Sequence, residues 1–263
     1  MRGTLTVCRR ELTGLFLSPL AWILLLVALL LNGVLFTLYI QMSGGDVSDA
    51  LEVEYGAGWP FWALIVFLPP LLAMRMLTEE ARTGTLEFLL TSPVSDAAVV
   101  LGKFFAATAF MALLFASGLV YAATIATLGV APDWGAVLGS YLGAVLCSAL
   151  FVAISMLAST ITTTPLIAAF LAFVANLCWL LLPTIGTLVL GQFRALLSQW
   201  AGSVELAEVW VGALLTRIDV MGHFRASFLR GVFDTSEVVF FMSWTAFFLF
   251  LTVRTLEMRR WRG

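Results

Sequence analysis

The chain has 263 residues, 61% of them hydrophobic and only 11% charged, where a soluble domain carries roughly 25% charged residues. With a mean hydropathy of +1.02, this excludes a soluble globular domain and implies a polytopic membrane protein. The net charge of −2 decides nothing as a total, because in such a protein the side on which each charge falls is what matters.

Residues 4–17 predict an amphipathic helix. Leu5, Cys8, Leu12, Leu15 and Phe16 share one face, while Arg9, Arg10, Glu11 and Thr13 fall elsewhere. Such a helix lies in the headgroup plane with its arginines toward anionic lipid. Ser18-Pro19 ends it, and no cleavable leader is expected. Residues 20–40 form the first span, about the twenty residues a bilayer core needs, with Asn32 as its polar side chain. A polar connection comes next over 41–58, with Asp46, Asp49, Glu52 and Glu54 but no Lys or Arg. Residues 59–76 make the second span. Trp59 and Trp62 suit an interfacial belt, and Pro69-Pro70 predicts a kink.

The longest charged, turn-rich island in the chain runs from Arg75 to Val94. Gly84 permits a turn and Thr85 is placed to cap a helix beginning there. Leu86, Leu89 and Leu90 then stand at i, i+3 and i+4, one apolar face of a short helix over 84–92. Pro93 stops it, since the residue before a proline is pushed out of the helical region. Glu79, Glu80, Arg82 and Glu87 surround that face with charge. A short amphipathic helix held between two spans is shaped to be gripped by a soluble partner; an ordinary capped, solvated loop is the plainer reading.

The third span covers 103–128 and the fourth 136–157. The fourth contains Gly139-x-x-x-Gly143, a small-residue stripe that suits dimer packing or close contact within the chain. The fifth span is 166–190, with Asn176 and Pro183. Residues 192–236 carry two amphipathic patterns, Phe193/Leu196/Leu197/Trp200 and Leu206/Val209/Trp210/Ala213/Leu214, expected to lie at or dip into the outer surface. The sixth span is 238–256, with a basic tail after it.

Six spans put both termini on one side. Ten of the fourteen basic residues fall there: Arg2, Arg9, Arg10, Arg75, Arg82, Lys103, Arg254, Arg259, Arg260 and Arg262. The other side has Arg194, Arg217, Arg225 and Arg230. That asymmetry makes the first side, with the island and both termini, cytoplasmic. No internal inverted repeat is visible, which disfavours a secondary transporter.

The chemistry-bearing motifs are missing. Gly102-Lys103 lacks both the upstream glycine and the following Ser or Thr of a P-loop, so the chain carries no ATP site of that kind. No hydrolase or metalloprotease motif occurs, no catalytic residue is nominated, and Cys8, Cys147 and Cys178 have no metal or disulfide pattern. The span cores as drawn hold no Asp, Glu, Lys, Arg or His, which argues for a pathway opened mechanically rather than by protonation. The lone His223 reads as an interfacial structural residue.

Glu-Glu-x-x-x-Gly-Thr-x-Glu-x-Leu-Leu-x-x-Pro, Glu79 to Pro93, followed by Val100-Leu-Gly-Lys103, resembles the signature of ABC-2 type transporter permeases. The ending Leu249 to Trp261, with His223-Phe224 and Arg230 to Asp234, is similar to permeases of the gliding-motility-associated subgroup. The resemblance implies an all-α fold of six transmembrane helices as a single transmembrane domain over 1–263. It adds an N-terminal elbow helix over 4–17, a cytoplasmic coupling helix between spans two and three, and outer re-entrant helices before span six. It implies docking of Glu79, Glu80, Arg82, Gly84, Thr85, Leu86, Glu87, Leu89, Leu90 and Pro93 on an ATPase subunit. Two such subunits would bind ATP and Mg, and a second permease, the same or related, would complete the unit. The expected setting is the bacterial inner membrane, with an auxiliary envelope protein as a further partner and no nucleic acid. Two other readings stand beside it: an anchor or assembly platform that moves nothing, and an ion-coupled carrier or channel.

Overall fold

In the computed structural model, the described residues are 2–74, 76, 78, 95–197 and 204–260. The helix proposed over 84–92, and every residue nominated for the ATPase contact, lies outside them. Every element among the described residues is helical. Six helices among the described residues are long and apolar enough to cross a membrane: Pro19–Met42, Ala50–Ala73, Asp96–Thr127, Trp134–Ile161, Pro165–Gln192 and Thr235–Met258.

The N-terminal helix α1 (Arg2–Leu17) is followed by α2 (Pro19–Met42), which starts at a proline in its first turn, where a missing N–H costs nothing. The connection drawn over 41–58 is not a loop. It folds as α3 (Val47–Glu52) and one turn of π-helix (Val53–Ala57), which run into α4 (Trp59–Ala73). Ala50, Leu51 and Tyr55 are buried there. The acidic residues hid this helix, because Glu52 and Glu54 now belong to an apolar segment of spanning length that begins at Ala50. The span cores are therefore not free of carboxylates as first drawn. Gly56 makes the bend, at φ 126°, where a side chain would be strained and its Cβ would meet the Phe224 ring at 2.7 Å. Trp62 is buried rather than interfacial, its indole donating to the Gly56 carbonyl at 2.9 Å, whereas Trp59 is exposed.

α5 (Asp96–Thr127) begins seven residues before the expected third span, because Ser95 caps it by accepting from the Ala98 amide. Its 32 residues make a rod of about 48 Å, longer than the bilayer core. α6 (Trp134–Ile161) is capped by Asp133, which accepts from the Gly135 and Ala136 amides. α7 (Pro165–Leu197) extends past the fifth span. Next come α8 (Val204–Arg217) and α9 (Val220–Ser227), then a 3-10 turn (Phe228–Arg230) and α10 (Thr235–Arg260).

The bundle is built around α6, whose spanning window is 78% buried, with the segments at 50–73 and 96–127 at 61% each. α2 and α10 are only 11% buried and α7 22%. Asn176, fully buried, donates from Nδ2 to the Ser155 hydroxyl at 3.1 Å and ties α7 to α6. At the end of the bundle away from the chain termini, α9 and the 3-10 turn insert, the second of the two arrangements expected for this region. Phe224 and Phe228 are fully buried, and Phe224 packs on Phe61 and Trp62 at ring distances of 5.1 and 5.5 Å. Among the described side chains α8 keeps the surface character expected of the second pattern, and the first pattern, Phe193, Leu196, Leu197 and Trp200, lies outside them. Val209, Trp210 and Leu214 are exposed, while Leu215 seats against Gly186 of α7.

The Gly139/Gly143 stripe is filled from within the chain. A Cβ at Gly139 would meet the Phe228 carbonyl at 2.8 Å, and one at Gly143 would meet the Phe228 ring at 2.6 Å and the Phe224 ring at 2.9 Å. The close approach that these glycines permit is made to the 3-10 turn and α9, with Ser140 donating to the Phe228 carbonyl at 3.3 Å.

Candidate functional site

Both chain segments that flank residues 79–94 end at the same place. Leu71, Leu72 and Met76 at the end of α4, and Lys103 in the second turn of α5, meet α1 and the start of α2. Together with Glu11, Gly14, Leu15, Ser18, Leu20 and Ala21 they line a cavity of about 240 Å³. Thr78 is fully buried and its hydroxyl donates to the Met74 carbonyl, which holds the last described turn after α4.

Sequence makes α5 start early, and this brings Lys103 inside. The side chain is 2% exposed, too costly for an ammonium without a partner. The partner is Glu11 of α1, with Nζ to Oε1 at 3.0 Å. The same carboxylate oxygen accepts from Arg10 at 2.7 Å, so one exposed guanidinium and one buried ammonium share Glu11. Burial alone would raise the Glu11 carboxyl, but Lys103 first and Arg10 after it outweigh burial and hold it below the ordinary carboxylate value. The group is thus charged at neutral pH and the pair is ionic.

One residue along from the ion pair, Gly102 lets the two helices touch. A Cβ there would lie 2.7 Å from Val7 and 3.0 Å from the Thr4 carbonyl. The packed face of α1 therefore takes in Val7 and Glu11 beside the apolar stripe, of which Cys8, Leu12, Leu15 and Phe16 are half-buried and Leu15 and Phe16 pack against the core. Leu5, a member of that stripe, is 74% exposed. Sequence reasoning missed the Glu11–Lys103 pair, because the partners are 92 positions apart and nothing in local pattern joins them.

This junction joins α1, the start of α2, α4 and α5 through the Glu11–Lys103 pair and the side chains around it. Among the described residues no cluster of His, Cys, Asp or Glu could hold a metal ion. His223 lies at the other end, with Nδ1 2.7 Å from a Glu237 oxygen and its ring stacked 4.1 Å from Phe240, joining α9 to α10. Arg225 donates to the Gly56 and Ala57 carbonyls at 3.4 and 3.3 Å and braces the bend before α4.

The family described as ABC-2 family transporter protein matches residues 20–252, from the first long apolar helix into the last. The chain belongs to that family. It is a membrane permease subunit of an ABC transporter and, with six long apolar helices, a multi-pass membrane protein. No curated protein matches the permease. The family pairs such subunits with an ATPase, and the junction around Lys103 flanks the segment nominated for that contact.

Proposed function

We propose that the permease is worked by a separate ATPase that grips residues 84–92, with Leu86, Leu89 and Leu90 as the docked apolar face and Glu79, Glu80, Arg82 and Glu87 as polar contacts. Gly84, Thr85 and Pro93 set the turn, cap and stop of that helix. ATP and Mg belong to the ATPase, present in two copies, and a second permease completes the unit in the bacterial inner membrane. The supporting observation is that the flanking segments converge on one packed junction, where Lys103 is fixed to Glu11 at 3.0 Å. Displacement of residues 79–94 enters α4 and α5 together, and through Glu11 it carries α1 along. In this reading α1 is the elbow helix, the junction and both termini face the cytoplasm, and the exported cargo or the envelope machine served lies on the far side.

Glu87→Lys and Leu89→Asp test this. Each is expected to abolish permease-stimulated ATP hydrolysis and transport in reconstituted vesicles, with membrane insertion unchanged. Normal stimulation in both variants removes the lever.

A further inference from the structure

The cavity at the junction is open because α1 lacks a side chain where one would fit. Val7, Glu11, Gly14 and Ser18 follow one another at helical spacing along one face of α1. Val7 presses on Gly102 and Glu11 reaches Lys103, but a Cβ on Gly14 would meet nothing within 4 Å. A glycine inside a helix costs stability relative to alanine, and at this position it leaves room. The room amounts to about 240 Å³, where an apolar cavity of about 150 Å³ is enough to hold benzene.

The walls have one polar corner and an apolar remainder. At the corner, the bonds from Lys103 and Arg10 both end on Glu11 Oε1. Glu11 Oε2 accepts no hydrogen bond among the described residues. Ser18 stands at the N-cap of α2, and its hydroxyl accepts from no amide of that helix. The remainder is Leu15, Leu20, Ala21, Leu71, Leu72 and Met76. Glu11 and Lys103 cancel each other's charge, and Arg10 does not line the cavity. An ionic ligand would bring an uncompensated charge into a mostly apolar space, and a plain hydrocarbon would leave Oε2 without a donor. A neutral molecule with one hydroxyl on an apolar body meets both conditions. We propose that the cavity binds a small molecule of that class, an alkylphenol or a compact alcohol, with its hydroxyl donating to Glu11 Oε2 and its body against Leu71, Leu72 and Met76. Because the walls belong to α1, α2, α4 and α5, the occupant wedges the junction and slows its movement. The site stands on the cavity alone; the wedge rests on the proposed ATPase contact.

The probe is 4-ethylphenol, titrated against the full-length, detergent-purified permease and read by thermal melting. It is expected to raise the midpoint by about 3–6 °C at ten times its dissociation constant. Ethylbenzene, the same body without the hydroxyl, is expected to bind at least about tenfold more weakly. Gly14→Leu fills the open space with a better helix former, so it is expected to melt no lower than the parent and to lose the ligand's shift. Gly14→Ala, which adds one methyl there, is expected to weaken binding by a smaller factor and carries the test if Gly14→Leu does not fold. No shift in the parent, or equal shifts in the parent and both variants, overturns the site. Ethylbenzene as effective as 4-ethylphenol overturns the role of Glu11, and tighter binding of 2-phenylethylamine, a cation at neutral pH, overturns the neutral class. In vesicles with the ATPase, saturating 4-ethylphenol is expected to lower permease-stimulated hydrolysis at least threefold in the parent and to leave Gly14→Leu unaffected. A melting shift with stimulation unaltered by the ligand overturns the wedge and leaves the ATPase contact standing. A melting shift with no stimulation to alter supports the site and sinks the ATPase contact.

Discussion

Replacing Lys103 by methionine removes the ammonium but keeps most of the volume. Glu11 is left as a carboxylate whose side chain is 18% exposed. A fully buried charge abandoned by its partner costs about 3–5 kcal/mol. Glu11 keeps Arg10 at 2.7 Å and some contact with solvent, which brings the expected cost to about 2 kcal/mol. For a chain of this size that lowers the thermal midpoint by about 4–8 °C, readable by intrinsic fluorescence of the detergent-purified permease. The informative comparison is Glu11→Leu with Lys103→Met in one chain. Exchanging a buried ion pair for apolar side chains is close to neutral, so the double variant is expected to recover to within about 1 kcal/mol of the parent. A double variant that loses as much as the two single variants added together would refute the idea that the pair is what holds α1 to α5.

Gly143→Leu forces a branched side chain where a Cβ already falls 2.6 Å from Phe228. It is expected to cost about 1–3 kcal/mol or more in monomer stability, whereas loss of a permease dimer at an unchanged thermal midpoint would place that face between chains. Asn176→Ala removes the bond to Ser155 and is expected to lower stability by only about 0.6–1.7 kcal/mol, measured by the same melt. Glu11 is held below the ordinary carboxylate value by Lys103 and Arg10 against the opposing effect of burial. Its contribution is present above the unfolded value of about 4 and is lost as pH falls through its lower folded value. The thermal midpoints of the parent and of Glu11→Gln are therefore expected to differ at neutral pH and to converge as acid protonates the parent; parallel curves down to pH about 2 would contradict the ionic pair.

The six spans were legible because a bilayer core demands long apolar runs, and no soluble packing competes with that signal. The ends of those spans were less legible. Glu52 and Glu54 made a helical segment look like a loop, and Ser95 started α5 before its hydrophobic run begins. The two amphipathic patterns stopped at Leu214 and did not reach α9, whose Phe224 and Phe228 look the same to a pattern whether they face lipid or Gly143. The junction was half legible. Lys103 stood out as a basic residue at a span end, but its partner is set by tertiary packing.

The uneven burial of the six long helices bears on how the chain is made. The helix most hemmed in, Trp134–Ile161, is the fourth of the six to leave the ribosome, while the first, Pro19–Met42, is only 11% buried within the folded chain. During synthesis the second and third rods therefore wait for the helix they pack on, whereas the first comes to rest on α1, α3, α4 and α5. The late scaffold helix is thus the one whose insertion commits the nascent permease to its shape.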